Sequence, residues 1–261
     1  MTYALAPHIE RWWSPSPLNA PEQRRYVLID SGQLRAAAAR KWLSRTASLP
    51  LFKNCFAEAA LEFSPVLIAL DANRETAFQR IEEVDAHCRT FPLAAILVSE
   101  LTEEQLVSHL QQRLRMEADG GLYLLRFADT QMLRVTTQCF TIDQAATFFE
   151  RVDHWWVTDH RGECIDLVPK DIALPVVPLP LKFDGEQTAA LLDSAAVPIT
   201  DARLSRYDPK FATLVHSRRM VLLHQWHQAF GQTKHENDEE DFMIFAASQW
   251  NQCDDRRKWR D

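Results

Sequence analysis

Three carboxylates, Asp30, Asp71 and Asp129, each sit near the exit of an apolar run, where layered sheets place functional groups. Acids in such places also accept hydrogen bonds from free helix-start amides, so caps and turn formers are the competing assignment for the same residues. Asp30 and Asp129 with His109 would make a metal-independent or carboxylate-dependent hydrolase, provided that one cleft holds all three. Ser31 lacks the preceding glycine of a G-x-S-x-G elbow and reads as a helix start. His87 and Cys88 are adjacent, and neighbours on a helix point about 100° apart, so they form no dyad by themselves. His216, His224 and His227 share a helical stretch, with His235 beyond it. His216 and His227 lie about 16 Å apart along such a helix, too far for one ion, and His224 with His227 lacks a third ligand. Arg126 interrupts the apolar run Leu124-Leu125-Arg126-Phe127, so its charge must meet an acid such as Asp129 or emerge as a contact for another protein.

Cofactor chemistry finds less support. The six glycines form neither G-x-G-x-x-G nor G-x-x-x-x-G-K, so no glycine-rich turn is available to cradle a phosphate. The five cysteines are scattered without a C-x-x-C pair, which speaks against a zinc knuckle or disulfide scaffold and for a reducing cytoplasm. No cofactor and no metal are expected. The formal charge of −7 gives no broad footprint for a nucleic acid or an anionic membrane. Arg256 to Arg260, with Trp259 interleaved, is the one basic run that favours nucleic-acid binding, and the total charge opposes it. The start shows no basic head followed by a long apolar run, and no later apolar stretch approaches the length of a membrane span. Neither nucleic acid nor membrane is therefore an expected partner.

Protein partners fit the composition better. Trp12, Trp13, Trp155, Trp156, Trp226, Trp250 and Trp259 offer large surfaces of the kind that anchors interfaces, and Arg126 with Asp129 offers a charged rim. Oligomeric state and stoichiometry leave no signature here.

These residues need a scaffold, and the chain supplies alternating elements. Residues 1 to 25 read as a proline-broken arm docked on the body. Strands are expected at 26–30, 66–70, 94–98 and 122–127, with helices at 33–44, 52–62, 74–88, 102–114 and 129–139. Thr102 with Gln105 has the spacing of a capping box, and Leu106, Leu110 and Leu114 mark one buried face. A hairpin over 152–157 and 163–168 closes the lobe. The stretch 169–183, broken by four prolines, marks the boundary, and helices follow at 186–195, 201–205, 209–230 and 239–251. The expected fold is α/β: a layered N-terminal lobe over residues 1–170 with a mixed sheet flanked by helices, then a smaller all-helical lobe over 171–261.

Several segments resemble one family in order and spacing. Tyr26 to Gly32 looks like its opening strand, Ser64 to Ile68 like its second, and Leu101 to Leu114, with His109-Leu110, like its characteristic helix. Leu125-Arg126-Phe127-Ala128-Asp129 and the residues after it are similar to an Arg-Phe-x-Asp-Pro-Arg stretch. Together, over about residues 26 to 160, they resemble the DUF4123 domain of adaptor or chaperone proteins in the bacterial type VI secretion system. Thr130 and Gln131 stand where that pattern has proline and arginine, so no role is carried over from that arginine. The resemblance implies a non-enzymatic cytoplasmic protein that binds a cognate effector and assists its loading onto the VgrG spike trimer. The helical lobe would then confer specificity for the effector.

Overall fold

Continuous apolar runs become the central strands because both faces of their sheet are covered. In the computed structural model, which describes residues 3–13, 23–34, 36–88, 91–159, 162–170, 177–232 and 239–252, the chain divides into two compact units, Thr2–Gly185 and Glu186–Asp261. Trp259 with the basic run 256–260, and His235, lie outside the described residues.

The first unit begins with a short helix α1 (Ile9–Trp12), then β1 (Arg24–Ile29), α2 (Ala37–Leu43), β2 (Leu49–Pro50), β3 (Val66–Ala69), α3 (Arg74–Cys88) and β4 (Ala94–Ser99). Next come α4 (Glu103–Gln111), the hairpin β5 (Arg115–Ala118) and β6 (Gly121–Leu124), then α5 (Thr130–Gln138) and α6 (Ile142–Phe148). A second hairpin, β7 (His154–Thr158) and β8 (Cys164–Asp166), precedes β9 (Leu181–Phe183). Six strands form one antiparallel sheet in the order β2-β3-β1-β4-β7-β8. A three-stranded sheet, β6-β5-β9, mixes antiparallel and parallel pairing. An α/β lobe with helical flanks is thus present, and the mixed pairing resides in its smaller sheet.

Period-two alternation assigns each strand residue to a face of the large sheet. Val27, Ile29, Ile68 and Ile96 pack with Ile81, Val84 and Cys88 of α3, and the docked N-terminal segment adds Leu5 and Ile9. The backbone amides of Leu5 and Ala6 donate to the buried Asp85 carboxylate at 2.8 Å each, which fixes that segment. Neighbouring residues on a strand point to opposite faces. Trp156 accordingly joins this cluster, while Trp155 meets Phe127, Phe148 and Phe149, with ring centroids 5.7 to 6.1 Å away.

Local chemistry fixes the ends of the elements. Thr102 and Gln105 close the expected capping box on α4, and Thr141 and Gln144 close another on α6. Asp119 and Gly120 both have positive φ, 49° and 73°, the combination that a two-residue hairpin loop demands between β5 and β6.

Several elements differ from expectation. The helix placed at 33–44 starts only at Ala37, because Leu34 is extended and buried after a single 3-10 turn at Ser31–Gln33. The helix placed at 52–62 is a turn followed by a 3-10 segment, Glu58–Phe63. The expected fourth apolar strand, at 122–127, is the shorter, exposed β6 of the small sheet, and β9 arises inside the proline-punctuated stretch, where Leu181 and Phe183 are buried.

The second unit is helical: α7 (Gly185–Tyr207), whose first residue belongs to the first unit, α8 (Pro209–Ala212), α9 (His216–Gly231) and α10 (Glu239–Gln252). The helices expected at 186–195 and 201–205 form one, running through Pro198. Proline removes one intrahelical bond, but Ala196, Val197 and Leu204 on either side are held in a core with Phe211, Leu223, Trp226, Phe242 and Trp250.

Candidate functional site

Two carboxylates that are far apart in sequence meet at one end of a cleft in the first unit. Asp30 directly follows β1, and its amide donates to the Leu93 carbonyl at 2.9 Å. Asp129 is the N-cap of α5, where its Oδ1 accepts from the amides of Gln131 and Met132, both at 3.2 Å. The turn at Ser31–Gln33 brings Gln33 between them, and its Nε2 donates to Asp30 Oδ2 at 2.9 Å and to Asp129 Oδ2 at 3.0 Å. Gly32 lets this turn pack closely against Phe63, since a Cβ there would stand 3.2 Å from the Phe63 carbonyl oxygen.

Arg126 completes the group. Its Nη2 lies 3.2 Å from Asp129 Oδ2 and 3.8 Å from Asp30 Oδ2. The expected pairing of Arg126 with Asp129 is therefore present, and Asp30 joins it. The guanidinium is 55% exposed while the Asp30 and Asp129 side chains are 10% and 13% exposed, so the cation forms the outer lip and the acids the floor. Burial raises the Asp129 pKa; Arg126 and the α5 amides pull it down, and the Asp30 charge adds to the rise.

A cavity of about 250 Å³ opens beside this group, walled by apolar side chains that include Phe52, Phe63, Leu114 and Leu124. Its rim continues onto β6: Phe63, Leu122, Tyr123 and Leu124 are 54, 55, 54 and 43% exposed. An apolar cavity with two acceptors and one cation at its end can take an apolar side chain and orient a charged neighbour.

The other candidates lie elsewhere. His109 does not line the cavity; burial first, then Arg113 and Arg151, push its pKa down to about 3. Asp71 forms a turn, accepting from the Asn73 amide at 2.7 Å, and the Ser31 hydroxyl donates to the Ser64 carbonyl. Trp155, Trp226 and Trp250 are buried, Trp156 is half-buried, and the Trp250 indole donates to Asp208 at 2.7 Å. In the helical unit His216 faces Asp201 at 3.5 Å, His224 Nδ1 lies 2.7 Å from the Met220 carbonyl and His227 faces Asp193 at 3.4 Å. Among the described residues no three His, Cys, Asp or Glu side chains are grouped to hold a metal ion. Among them, too, no helix is long and apolar enough to cross a membrane.

Gln33 and the buried Arg219 went unnoticed in the sequence, since neither stands in a motif and each is placed by long-range packing. Arg219 pairs with Asp201 through Nε at 2.6 Å and Nη2 at 3.2 Å.

The fold and cleft define an α/β domain with an apolar groove that has an arginine at its lip and two acids on its floor. Residues 25–147, which contain all of the cavity's walls, match the family described as "Domain of unknown function (DUF4123)". Comparison with curated proteins and with solved structures returns no match.

Proposed function

We propose that this chain is an adaptor or chaperone of a bacterial type VI secretion system, which binds a cognate effector in the cytoplasm and assists its loading onto the VgrG spike trimer. The DUF4123 match over residues 25–147 carries this reading, because that domain is generally linked to such roles. The cleft supports it physically. Exposed apolar groups at Phe63 and along β6 supply binding energy when covered, and Arg126 at the lip with Asp129 beneath it orients the partner. In this reading the chain makes and breaks no bonds. The helical unit, with Tyr207, Val215 and Ile244 exposed, distinguishes the cognate effector from others.

The test is co-expression with the effector encoded beside this chain, followed by capture and calorimetry. A stable complex with a Kd of about 1 μM or tighter is expected, with no turnover of either protein. Failure to bind either effector or spike at about 50 μM of each protein overturns the reading.

A further inference from the structure

The outer edge of β6 is built to receive a strand. In the sheet order β6-β5-β9, β6 is paired among the described residues on one side, to β5. The register places Gly121 opposite Ala118, Leu122 opposite Glu117, Tyr123 opposite Met116 and Leu124 opposite Arg115. One residue further, the Leu125 amide donates to the Leu114 carbonyl at 2.8 Å. Antiparallel ladders alternate inward and outward backbone groups, so Tyr123 and Gly121 share the inward phase of Leu125, and Leu122 and Leu124 turn their N–H and C=O groups outward.

Edges of this kind are normally blunted by a charge, a proline or a bulge. The sequence of β6, Gly-Leu-Tyr-Leu, has none of these, and its three large side chains are exposed. Leu124 also belongs to the wall of the 250 Å³ cavity, so the open edge leads into that cavity. The volume lies below the roughly 300–1,000 Å³ typical of sites for whole small molecules and suits a single large side chain. Its polar end holds two carboxylates against one guanidinium, which leaves a negative charge to be matched.

From this geometry we infer that the effector contact of the adaptor reading includes an extended segment that adds to β6 as a further strand. That segment hydrogen-bonds Leu122 and Leu124, places an apolar side chain in the cavity and directs a lysine or arginine at Asp30 and Asp129. Main-chain bonds supply affinity in such strand addition, and the pocket supplies selectivity. The raised pKa of Asp129 agrees with a carboxylate that a second cation would relieve.

The probe is a fluorescein-labelled nine-residue peptide of alternating threonine and valine, with a central leucine and an arginine two positions beyond it. Binding to the full chain is read by anisotropy, and the exchange of the Leu122 and Leu124 amides by NMR. Saturable binding that slows exchange at both amides is expected. Leu122→Pro removes an outward N–H and leaves the β5 ladder intact, so it should weaken binding about ten-fold or more, while Leu122→Thr stays within about three-fold. Glutamate in place of the peptide's arginine should weaken binding about five-fold. No binding, or binding without protection of those amides in the unmodified chain, overturns the proposal whether or not the proline variant folds. A dimer with both amides already protected would assign the edge to a second copy and also overturn it. The inference rests on the adaptor reading, and effector capture separates the two. Equal capture by the unmodified chain and a folded Leu122→Pro variant removes the edge and leaves the adaptor, whereas peptide addition without any effector capture does the reverse.

Discussion

The two units each hold an arginine against carboxylate, and they do so in opposite environments. In the helical unit Arg219 and Asp201 are 6% and 9% exposed, the guanidinium also donates to the Leu214 carbonyl at 2.8 Å, and it lies 5.9 Å over the Phe211 ring. In the α/β unit Arg126 reaches its two acids from the surface. A pair sealed from water is committed to the fold, because removing one member leaves a charge that nothing solvates. A pair at a lip remains free to exchange partners at small cost. The contrast teaches that similar groups can fix a core in one place and line an open cleft in another, and exposure decides which.

The largest effect should come from breaking the sealed pair. Arg219→Met leaves Asp201 buried beside His216, an imidazole that burial holds neutral, and should destabilise the helical unit by about 3–5 kcal/mol in denaturant unfolding. Replacing both members with apolar residues, as in Asp201→Leu with Arg219→Met, should recover most of that loss. If the single and double variants unfold alike, the pair is not what organises the helical core.

A second effect distinguishes the units by pH. His216 in the helical unit and His109 in the α/β unit are held neutral by burial, with pKa values pushed down to about 4 and about 3. The unfolded chain binds protons at these imidazoles below about pH 6.5, and the folded chain does not until the lower values. Stability is therefore full above pH 6.5 and falls as the pH drops toward 4 for His216 and toward 3 for His109, by about 1.4 kcal/mol per pH unit for each. In His216 the Asp201 carboxylate opposes the depression and Arg219 adds to it. Hydrogen exchange by mass spectrometry, read separately on peptides of each unit, should show His216→Gln flattening the acid limb of the helical unit alone. His109→Gln should do the same in the α/β unit alone, and loss of both limbs in either variant would break the contrast.

Much of the α/β scaffold was legible because its signals are local. The runs at β1, β3 and β4 are apolar on both faces, α3 lies where its periodicity put it, and Thr102 and Asp129 cap the helices that their spacing announced. The small sheet was not legible. No strand is expected at Arg115 to Ala118, just after the helix at 102–114, and one forms because Met116 and Ala118 are buried by pairing with β6 and the distant β9. Pro198 announced a break that core packing overrides. Of the site, the Arg126 and Asp129 pairing was visible at three residues' separation. Its union with Asp30 through Gln33 depends on a turn 96 residues away in sequence from Asp129.

The smallest effect on stability, and the sharpest on the site, should come from Arg126→Ala. Its guanidinium is more than half exposed, so its loss should cost no more than about 1 kcal/mol near pH 7. The consequence falls on Asp129, whose pKa is already raised by burial and is held down in part by Arg126. An acid with a raised folded pKa favours the fold at low pH and loses that advantage as pH climbs from its unfolded value through its folded one. Without Arg126 the Asp129 pKa moves higher still, so the gap in stability between the variant and the unmodified chain should be smallest where Asp129 is protonated and widen above that pH. Carboxyl-carbon NMR titration of Asp129 in both proteins measures the shift directly. An unchanged Asp129 titration would mean that Arg126 contributes nothing to the floor of the cleft, and the open pair would then differ from the sealed one in kind as well as in exposure.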